Sequence, residues 1–540
     1  MAVDWTSALD RARAHAPFLA RALERRPELA ELLAHGGGEV ALRAAKRVKK
    51  GSAASALRDE RLGLALVLAI GDLAGAFDLD KVMRELSTFA DRALDRALNT
   101  ATNSRVPDAE PSGMIGLALG KQGAGELNYS SDIDPILLYD PEKLPRRERD
   151  EPGEAAQRYA REVVRLLSDV TSEGYVFRVD LRLRPASEVS PLAIPLSAAI
   201  THYESSALAW ERAAFIRARA CAGDIAAGEE FLDHIRPFVW RRSLDFGAID
   251  EVRRLTHRIR DQHSGPSVPE PGYNLKLGRG GIREIEFFAQ THQLIHGGRD
   301  PSLRSRGTRA ALDALAATGR IGEEDARALG ESYDGLRTIE HRLQMVGDKQ
   351  THSLPAGDAL DNVAQLHGLA DGAALVKHVQ ELARPVAERF DALLDEDRIS
   401  VPASAPHVLA GDAAEGDVPA ELVDRIAGWT DGKYQALRST AALGAFEAIR
   451  PDLIASISGS PDPDAAVVRW EGLISRLPSA INLFRLLEAR PGLFALLADC
   501  LTLAPPLADE LARRPNLLDA LIDRTALDLP GSVDDIVARM

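Results

Sequence analysis

Cysteine is almost missing from this chain: Cys221 and Cys500 are the only two among 540 residues. Two thiols so far apart build no disulfide framework and suit a reducing compartment. Aromatic residues make up only 5%, while Ala, Leu, Arg and Asp are frequent, a mix that favours helix over strand. Positive charge is in deficit, with 66 Lys and Arg against 81 Asp and Glu, for a net charge of −15. That balance argues against broad binding to nucleic-acid backbones, which needs a basic face, but leaves room for a local basic pocket. Long apolar runs are lacking too. The most apolar, residues 62–70, lies between Arg61 and Asp72 and is about half the ~20 residues of a membrane span. It predicts a buried helix. Residues 1–14 are charged and lack the apolar segment of a signal peptide, so the expectation is a cytoplasmic protein without membrane association.

What is present suits a large globular protein, at 45% hydrophobic and 27% charged. At about 150 residues per domain the length suggests three or four units. Residues 6–100 read as consecutive helices, with Arg43, Lys46, Arg47, Lys49 and Lys50 as a solvated face. A Pro- and Gly-containing linker at 104–113 leads to an apolar strand at 115–119. A Gly-rich turn follows at 120–125, then a strand at 132–139. A helix at 154–170 carries Tyr159, Val163, Leu166, Leu167 and Val170 on one stripe. A third strand is predicted at 175–183. Residues 196–398 read as helical apart from a break at 263–272, and a Pro/Ala/Gly-rich linker spans 400–419. The fold class is α+β and predominantly helical. The domain expectation is helical at 1–103, an α/β core at 104–225, helical at 226–399, a linker at 400–419 and helical again at 420–540.

One pattern recurs. RALERRPELAELL at 21–33, RLLEARPGLFALL at 485–497 and DELARRPNLLDALI at 509–522 each place an Arg-Pro break before an apolar helix start, where Pro suits the first turn. The recurrence predicts that a second copy of the architecture begins near residue 509 and that the chain is half of a tandem protein.

The chemistry concentrates in LALGKQGAGELNYSSDIDPILLYD and FRVDLRLRP. Side chains at i and i+2 of a strand share a face, so Asp132 and Asp134 point one way. The third strand is expected to alternate, with Phe177, Val179, Leu181 and Leu183 on one side and Arg178, Asp180, Arg182 and Arg184 on the other. Asp180 would then complete a site of three carboxylates. Three such groups repel unless cations neutralise them, and oxygen-only donors suit Mg²⁺ or Mn²⁺. Paired ions of this kind serve in-line displacement at phosphorus. Arg182 and Arg184 would hold phosphate oxygens or a protein carboxylate. Gly120 and Lys121 would admit and attract a nucleotide phosphate, and Ser131 would position one. The glycines match neither the Walker A nor the dinucleotide spacing. Each part alone is common on protein surfaces; the combination points to phosphoryl transfer.

A second cluster, KLGRGGIREIE at 276–286, reads as a basic Gly loop that offers a helix start to an anion. Lys276, Arg279 and Arg283 are its candidate binding residues. His292 and His296 have metal spacing but no surrounding HExxH, and read as core or helix-end residues. The segment from Tyr203-Glu204 to Trp210-Glu211-Arg212, continuing through IRARACAGD at 216–224, reads as packing and substrate binding together, with Glu211 and Arg212 as candidates.

At these residues the chain resembles the glutamine synthetase adenylyltransferase/adenylyl-removing family. GKQGAGELNYSSDIDPILLYD, FRVDLRLRP, HYESSALAWERAAFIRARACAGD and KLGRGGIREIEFFAQTHQLIHGGRDP carry the likeness, densely over residues 110–305. It implies a polymerase-β-type nucleotidyltransferase core with helical domains on both sides, and the amino-terminal half of a two-core enzyme. That half removes AMP from a tyrosine of glutamine synthetase by phosphorolysis, with Mg²⁺ or Mn²⁺, phosphate and ADP, while the other half uses ATP. A PII-type nitrogen signal protein is an implied partner; nucleic acid is not. Asp132, Asp134 and Asp180 would be the metal carboxylates, and Gly120 and Ser131 would shape the phosphate pocket. Pro135 stands where an aliphatic residue is usual, and ASEVSPLA follows Arg184-Pro185 in place of a Gly-containing turn. A tyrosine phenolate, with a pKa of ~10, is a fair leaving group, so little acid catalysis is expected of the protein. The alternatives are ATP-dependent adenylylation by this core, or a docking module without turnover. An RNA-directed transferase lacks its basic, aromatic-rich module.

Overall fold

A computed structural model describes residues 3–47, 51–109, 112–241, 265–395 and most of 420–511. Lys49, Lys50, residues 110–111 and 263–264 of the two breaks, the 400–419 linker, parts of the 485–497 repeat and everything past Leu511 lie outside the described residues. The chain divides into two compact units, one ending at Asp391 and one taking in the described residues from 420 onward.

The first unit opens with the expected helices: Trp5–His15, Pro17–Arg25, Pro27–Ala34, Gly38–Ala45, Ala53–Leu73 and Leu79–Asn103. Pro17 and Pro27 each open a helix, where a missing N–H costs nothing. Ser52 caps the fifth helix by accepting from Ser55 N at 3.2 Å, and Asp78 caps the sixth by accepting from Lys81 N at 2.8 Å. The apolar run is the middle of Ala53–Leu73, where every residue from Leu64 to Ile70 is buried. It is apolar all round because helices surround it. Truncating Leu66 to Ala there would cost about 2–5 kcal/mol.

The sheet has the order β3-β2-β1-β4. Strand β1 (Met114–Ala118) is antiparallel to both β2 (Pro135–Tyr139) and β4 (Arg219–Gly223), and β2 is parallel to β3 (Ala193–Pro195). Both faces are covered, so β1 and β2 are buried along their whole length. Met114, Leu137 and Ala222 join the core formed with Leu79–Asn103 and Pro152–Ser168. Ile115, Leu117, Ile136 and Leu138 join Tyr203, Phe215, Phe231 and Phe238 on the other side. Pro135 is tolerated as the first residue of its strand.

The third predicted strand does not form. Only Val179 pairs, in a single parallel bridge to Ile133, and the chain turns after Asp180, with Arg184 N donating to Leu181 O. The expected alternation through Arg184 ends there. Strands β3 and β4 come from sequence read as loop and helix. The Gly turn at 120–125 is a one-turn helix, Gly120–Ala124. Val170 lies past the end of Pro152–Ser168 and is 78% exposed, so it leaves the predicted stripe, whose other members are buried.

The second unit, taken by itself, packs helices Ala420–Ala427, Thr440–Ser458, Pro463–Arg476 and Pro491–Leu503 around Trp429, Phe446, Trp470 and Phe484. Glu471 accepts from Arg425 Nε and Trp429 Nε1, both at 3.1 Å.

Candidate active site

Two backbone bonds bring the carboxylates together. Ile133 N donates to Arg178 O at 3.0 Å, and Asp180 N donates to Ile133 O at 2.9 Å. Asp132 and Asp134 flank the buried Ile133, and Asp180 follows Val179, so one bridge does what a full strand was expected to do. All three line a single cavity of about 330 Å³ with Gly120, Lys121, Ser131, Arg182, Lys276 and Arg283. Gly120 has φ +54°, and a Cβ there would stand 2.5 Å from Asp134 Oδ2. Both the conformation and the space demand glycine.

The carboxylates are unevenly balanced. Burial, reinforced by the charges of Asp180 and Asp132, raises the Asp134 pKa to about 7. Asp180 is held low by hydrogen bonds from Arg182, whose Nε donates to Oδ2 at 2.8 Å. Asp132 takes Arg178 and also Gln350 Nε2, the latter at 3.1 Å. Arg178 is anchored in turn on Tyr175 Oη at 2.8 Å.

The opposite wall is basic but internally paired. Burial lowers the Lys121 pKa to about 8, against the pull of Glu340, whose Oε1 lies 3.2 Å from Nζ. Arg217 Nη1 donates to Glu286 Oε1 at 3.0 Å and Nη2 to Thr308 Oγ1 at 2.9 Å. Burial alone would raise Glu286, but Arg217, Lys121 and Lys276 bring it down to about 2. Arg217, Glu286, Gln350, His352 and Trp210 all line the cavity. Trp210 and Arg217 were named only as part of a charged segment and Glu286 only as the end of the second cluster; sequence reasoning missed Gln350 and His352. The five sit on two helices, the turn before β4 and a loop, far apart in the chain, and no local spacing announces their meeting.

Four predicted site residues lie elsewhere. Arg184 donates to the carbonyls of Leu181, Ser187, Ser190 and Pro191 and so builds its own loop. Glu211 caps its helix by accepting from Leu208 N at 2.7 Å and bonds His202. Arg212 is buried in the core. Arg279 pairs with Asp391. The Gly loop at 276–281 does not hold out free N–H groups either: Gly280 N donates to Glu284, Ile282 N to Leu275 O and Arg283 N to Lys276 O. Its glycines serve close packing, since a Cβ on Gly280 would lie 2.2 Å from Ala383 O. Of the cluster's three predicted binding residues, Lys276 and Arg283 line the cavity. His292 and His296 stack within their helix, away from the carboxylates.

Among the described residues no three Asp, Glu, His or Cys side chains are gathered closely enough to enclose an ion as they stand. The donor set nonetheless fits one. It is all oxygen, Asp134 is opposed by its neighbours' charge, and the other two carboxylates already draw a positive group each, Arg178 and Arg182.

The sequence profile of a family described as glutamate-ammonia ligase adenylyltransferase matches residues 7–234. One described as GlnD PII-uridylyltransferase matches residues 251–394. A bifunctional glutamine synthetase adenylyltransferase/adenylyl-removing enzyme of Caulobacter vibrioides is 42% identical over 87% of this chain and 50% of its own length. The enzymes of that name from Xanthobacter autotrophicus and Rhizobium meliloti are 40% and 38% identical, over 96% and 89% of this chain and 55% and 51% of their own lengths. This chain spans about half the length of the curated relatives it matches. It belongs to the family of glutamine synthetase adenylyltransferase/adenylyl-removing enzymes.

Proposed function

We propose that this chain is a nucleotidyltransferase that removes AMP from an adenylylated tyrosine of glutamine synthetase by phosphorolysis, releasing ADP. The reading takes it as the amino-terminal half of the longer enzyme, working in the cytoplasm under a PII-type signal protein. The observation that carries it is one cavity in which Asp132, Asp134 and Asp180 face Lys121, Arg217, Lys276 and Arg283. That polarity suits a reaction whose two reactants are both phosphates. The likeness to bifunctional relatives supports the substrate. On this reading the catalytic core is the 104–225 segment, and the 226–399 segment adds Lys276 and Arg283 to the basic wall.

Asp132, Asp134 and Asp180 would hold Mg²⁺ or Mn²⁺, which when bound neutralises phosphate oxygens as a Lewis acid. Lys276 and Arg283 are the cations for the attacking phosphate, since guanidinium and ammonium groups bind its oxygens strongly. Gly120 leaves a side-chain-free approach beside Asp134 for the nucleotide phosphate. Ser131 offers a hydroxyl at the cavity wall. A phosphate oxygen bonds to the AMP phosphorus as the bond to the tyrosine oxygen breaks, so the work is chiefly positioning and charge stabilisation.

Two incubations with a divalent cation test this. Adenylylated glutamine synthetase with phosphate should yield ADP, and unmodified glutamine synthetase with ATP should yield no pyrophosphate. Pyrophosphate in the second would reverse the direction. Silence in both would leave a docking module.

A further inference from the structure

The Glu323–Gly347 helix ends at Asp348, a residue in left-handed conformation with φ 51°. The chain then runs back along the cavity wall, and Gln350 and His352 both line it. The backbone of His352 is clamped. Leu275 N donates to His352 O at 2.8 Å, and Leu354 N donates to Tyr273 O at 2.9 Å, beside the loop that carries Lys276. The ring is clamped as well, through a 2.6 Å bond between Nδ1 and Glu340 Oε1.

Glu340 is fully buried and also faces Lys121 Nζ and Arg337 Nε, each at 3.2 Å. Between two cations it is a carboxylate, and a carboxylate only accepts hydrogen bonds. The proton of that bond therefore belongs to Nδ1, which leaves Nε2 as the ring nitrogen for the cavity. A buried carboxylate that holds one nitrogen of an imidazole lining a reaction cavity, and so leaves the other for proton transfer, is the arrangement of a positioned proton carrier. Lys121 and Arg337 already neutralise Glu340, so the ring is not needed to satisfy its charge.

We propose that His352, oriented by Glu340 and acting as an imidazolium with a proton on each ring nitrogen, donates the Nε2 proton to the tyrosine oxygen as it leaves the AMP phosphorus. The proposal rests on the AMP-removing reading. The attacking hydrogenphosphate forms the new P–O bond, and the electron pair of the broken P–O bond goes to the tyrosine oxygen. That oxygen takes the Nε2 proton, and the proton of the hydrogenphosphate restores it. ADP and neutral tyrosine result, with no proton gained or lost overall. Little acid catalysis is expected from the sequence, but expelling a phenolate of pKa ~10 at neutral pH leaves room for a donor contributing on the order of 10²–10⁴-fold.

The test is His352→Asn, whose amide nitrogen replaces Nδ1 toward Glu340 while nothing replaces Nε2. ADP release is measured from adenylylated glutamine synthetase and from the same enzyme made with fluorinated tyrosine, a more acidic phenol. The variant should lose about 10²-fold in kcat on the ordinary substrate, with KM and melting temperature held, and under about tenfold on the fluorinated one. Equal losses on the two substrates, or none, would overturn the proposal while leaving the function intact. Should His352→Asn melt early, the same comparison with His352→Gln decides between the same outcomes. A wild-type chain that releases no ADP overturns the AMP-removing reading and this proposal with it.

Discussion

Asp134 and Glu286 border the same cavity and live under opposite electrostatics. Asp134 is half-buried beside two other carboxylates, and its pKa rises to about 7. Glu286 is buried, yet Arg217, Lys121 and Lys276 pull it down to about 2. Burial is the largest influence on each and pushes both upward; what differs is the sign of the neighbours. On the acidic wall Asp132 and Asp180 are paired with Arg178 and Arg182, but the charge of Asp134 is opposed by its neighbours, a cost to the fold that a bound cation can relieve. The basic wall is self-neutralised through Arg217–Glu286 and Lys121–Glu340, and this holds its cations in place. One wall gathers carboxylates around the reaction, and the other holds cations in place to face it.

The largest expected effect comes from removing the opposed charge. Asp134→Asn should cut ADP release on the order of 10³-fold, equivalent to about 4 kcal/mol of barrier. Its effect on stability should run the other way. The folded value of about 7 lies above the ordinary 3.8, so the folded protein holds this proton more tightly than the unfolded chain. That contribution is complete below pH 4 and is lost as pH rises to 7. Above pH 7 the Asn variant should therefore be the more stable, by about 1–3 kcal/mol. Melting curves at pH 5 and pH 8 check this: equal melting temperatures for parent and variant at pH 8 would remove the contrast between the walls.

Glu286→Gln tests the other wall. Breaking a buried ion pair from one side costs about 3–5 kcal/mol, and the bond from Arg217 to Thr308 argues for the lower end. With a folded value of about 2 against an ordinary 4.5, Glu286 stabilises above pH 4.5 and ceases to as pH falls toward 2. Urea unfolding at pH 7 and pH 3 should show the Gln penalty shrinking with acid.

The split between the walls also explains what the sequence revealed. Asp132, Asp134 and Gly120 belong to one strand–turn–strand stretch, and the two-residue period of extended backbone is readable locally. The helices at 5–103 were legible for the same reason, in periodicity and in the prolines that open them. The basic wall was not. Arg217 follows Phe215 and Ile216 just before β4, Glu286 is one acid in a charged helix, and His352 sits past a helix end. Only the fold brings them together. Strand β4 did leave a trace, with Ala218, Ala220 and Ala222 buried and Arg219 and Cys221 half-buried between them, but alanine's helix preference masked it. The 175–183 segment misled because its alternation is genuine up to Asp180 and ends in a turn.

Gly120→Ala probes how finely the acidic wall is set. A left-handed alanine costs about 1–2 kcal/mol, and its Cβ at 2.5 Å would push the Asp134 carboxylate. We expect about a tenfold loss in kcat with a modest fall in melting temperature. Unchanged turnover would mean that the position of Asp134 is not critical.

The smallest effect should come from a residue that sequence reasoning placed in the site and the fold takes out of it. Arg279 looks inward when read as part of a basic Gly loop, but its side chain is half exposed and pairs with Asp391. Its carbonyl, not its guanidinium, does structural work by accepting from Tyr273 Oη at 2.7 Å. Arg279→Ala keeps that carbonyl and deletes only an exposed ion pair, worth about 0–1 kcal/mol. Arg283→Ala, one helical turn on, deletes a cation of the cavity wall itself. The pair of variants should therefore separate, with Arg279→Ala within about twofold of the parent in kcat/KM for phosphate and Arg283→Ala at least tenfold down, since a charge-assisted bond to phosphate contributes about 1.5–3 kcal/mol. Equal losses would return Arg279 to the site and extend the basic wall beyond the cavity that the fold encloses.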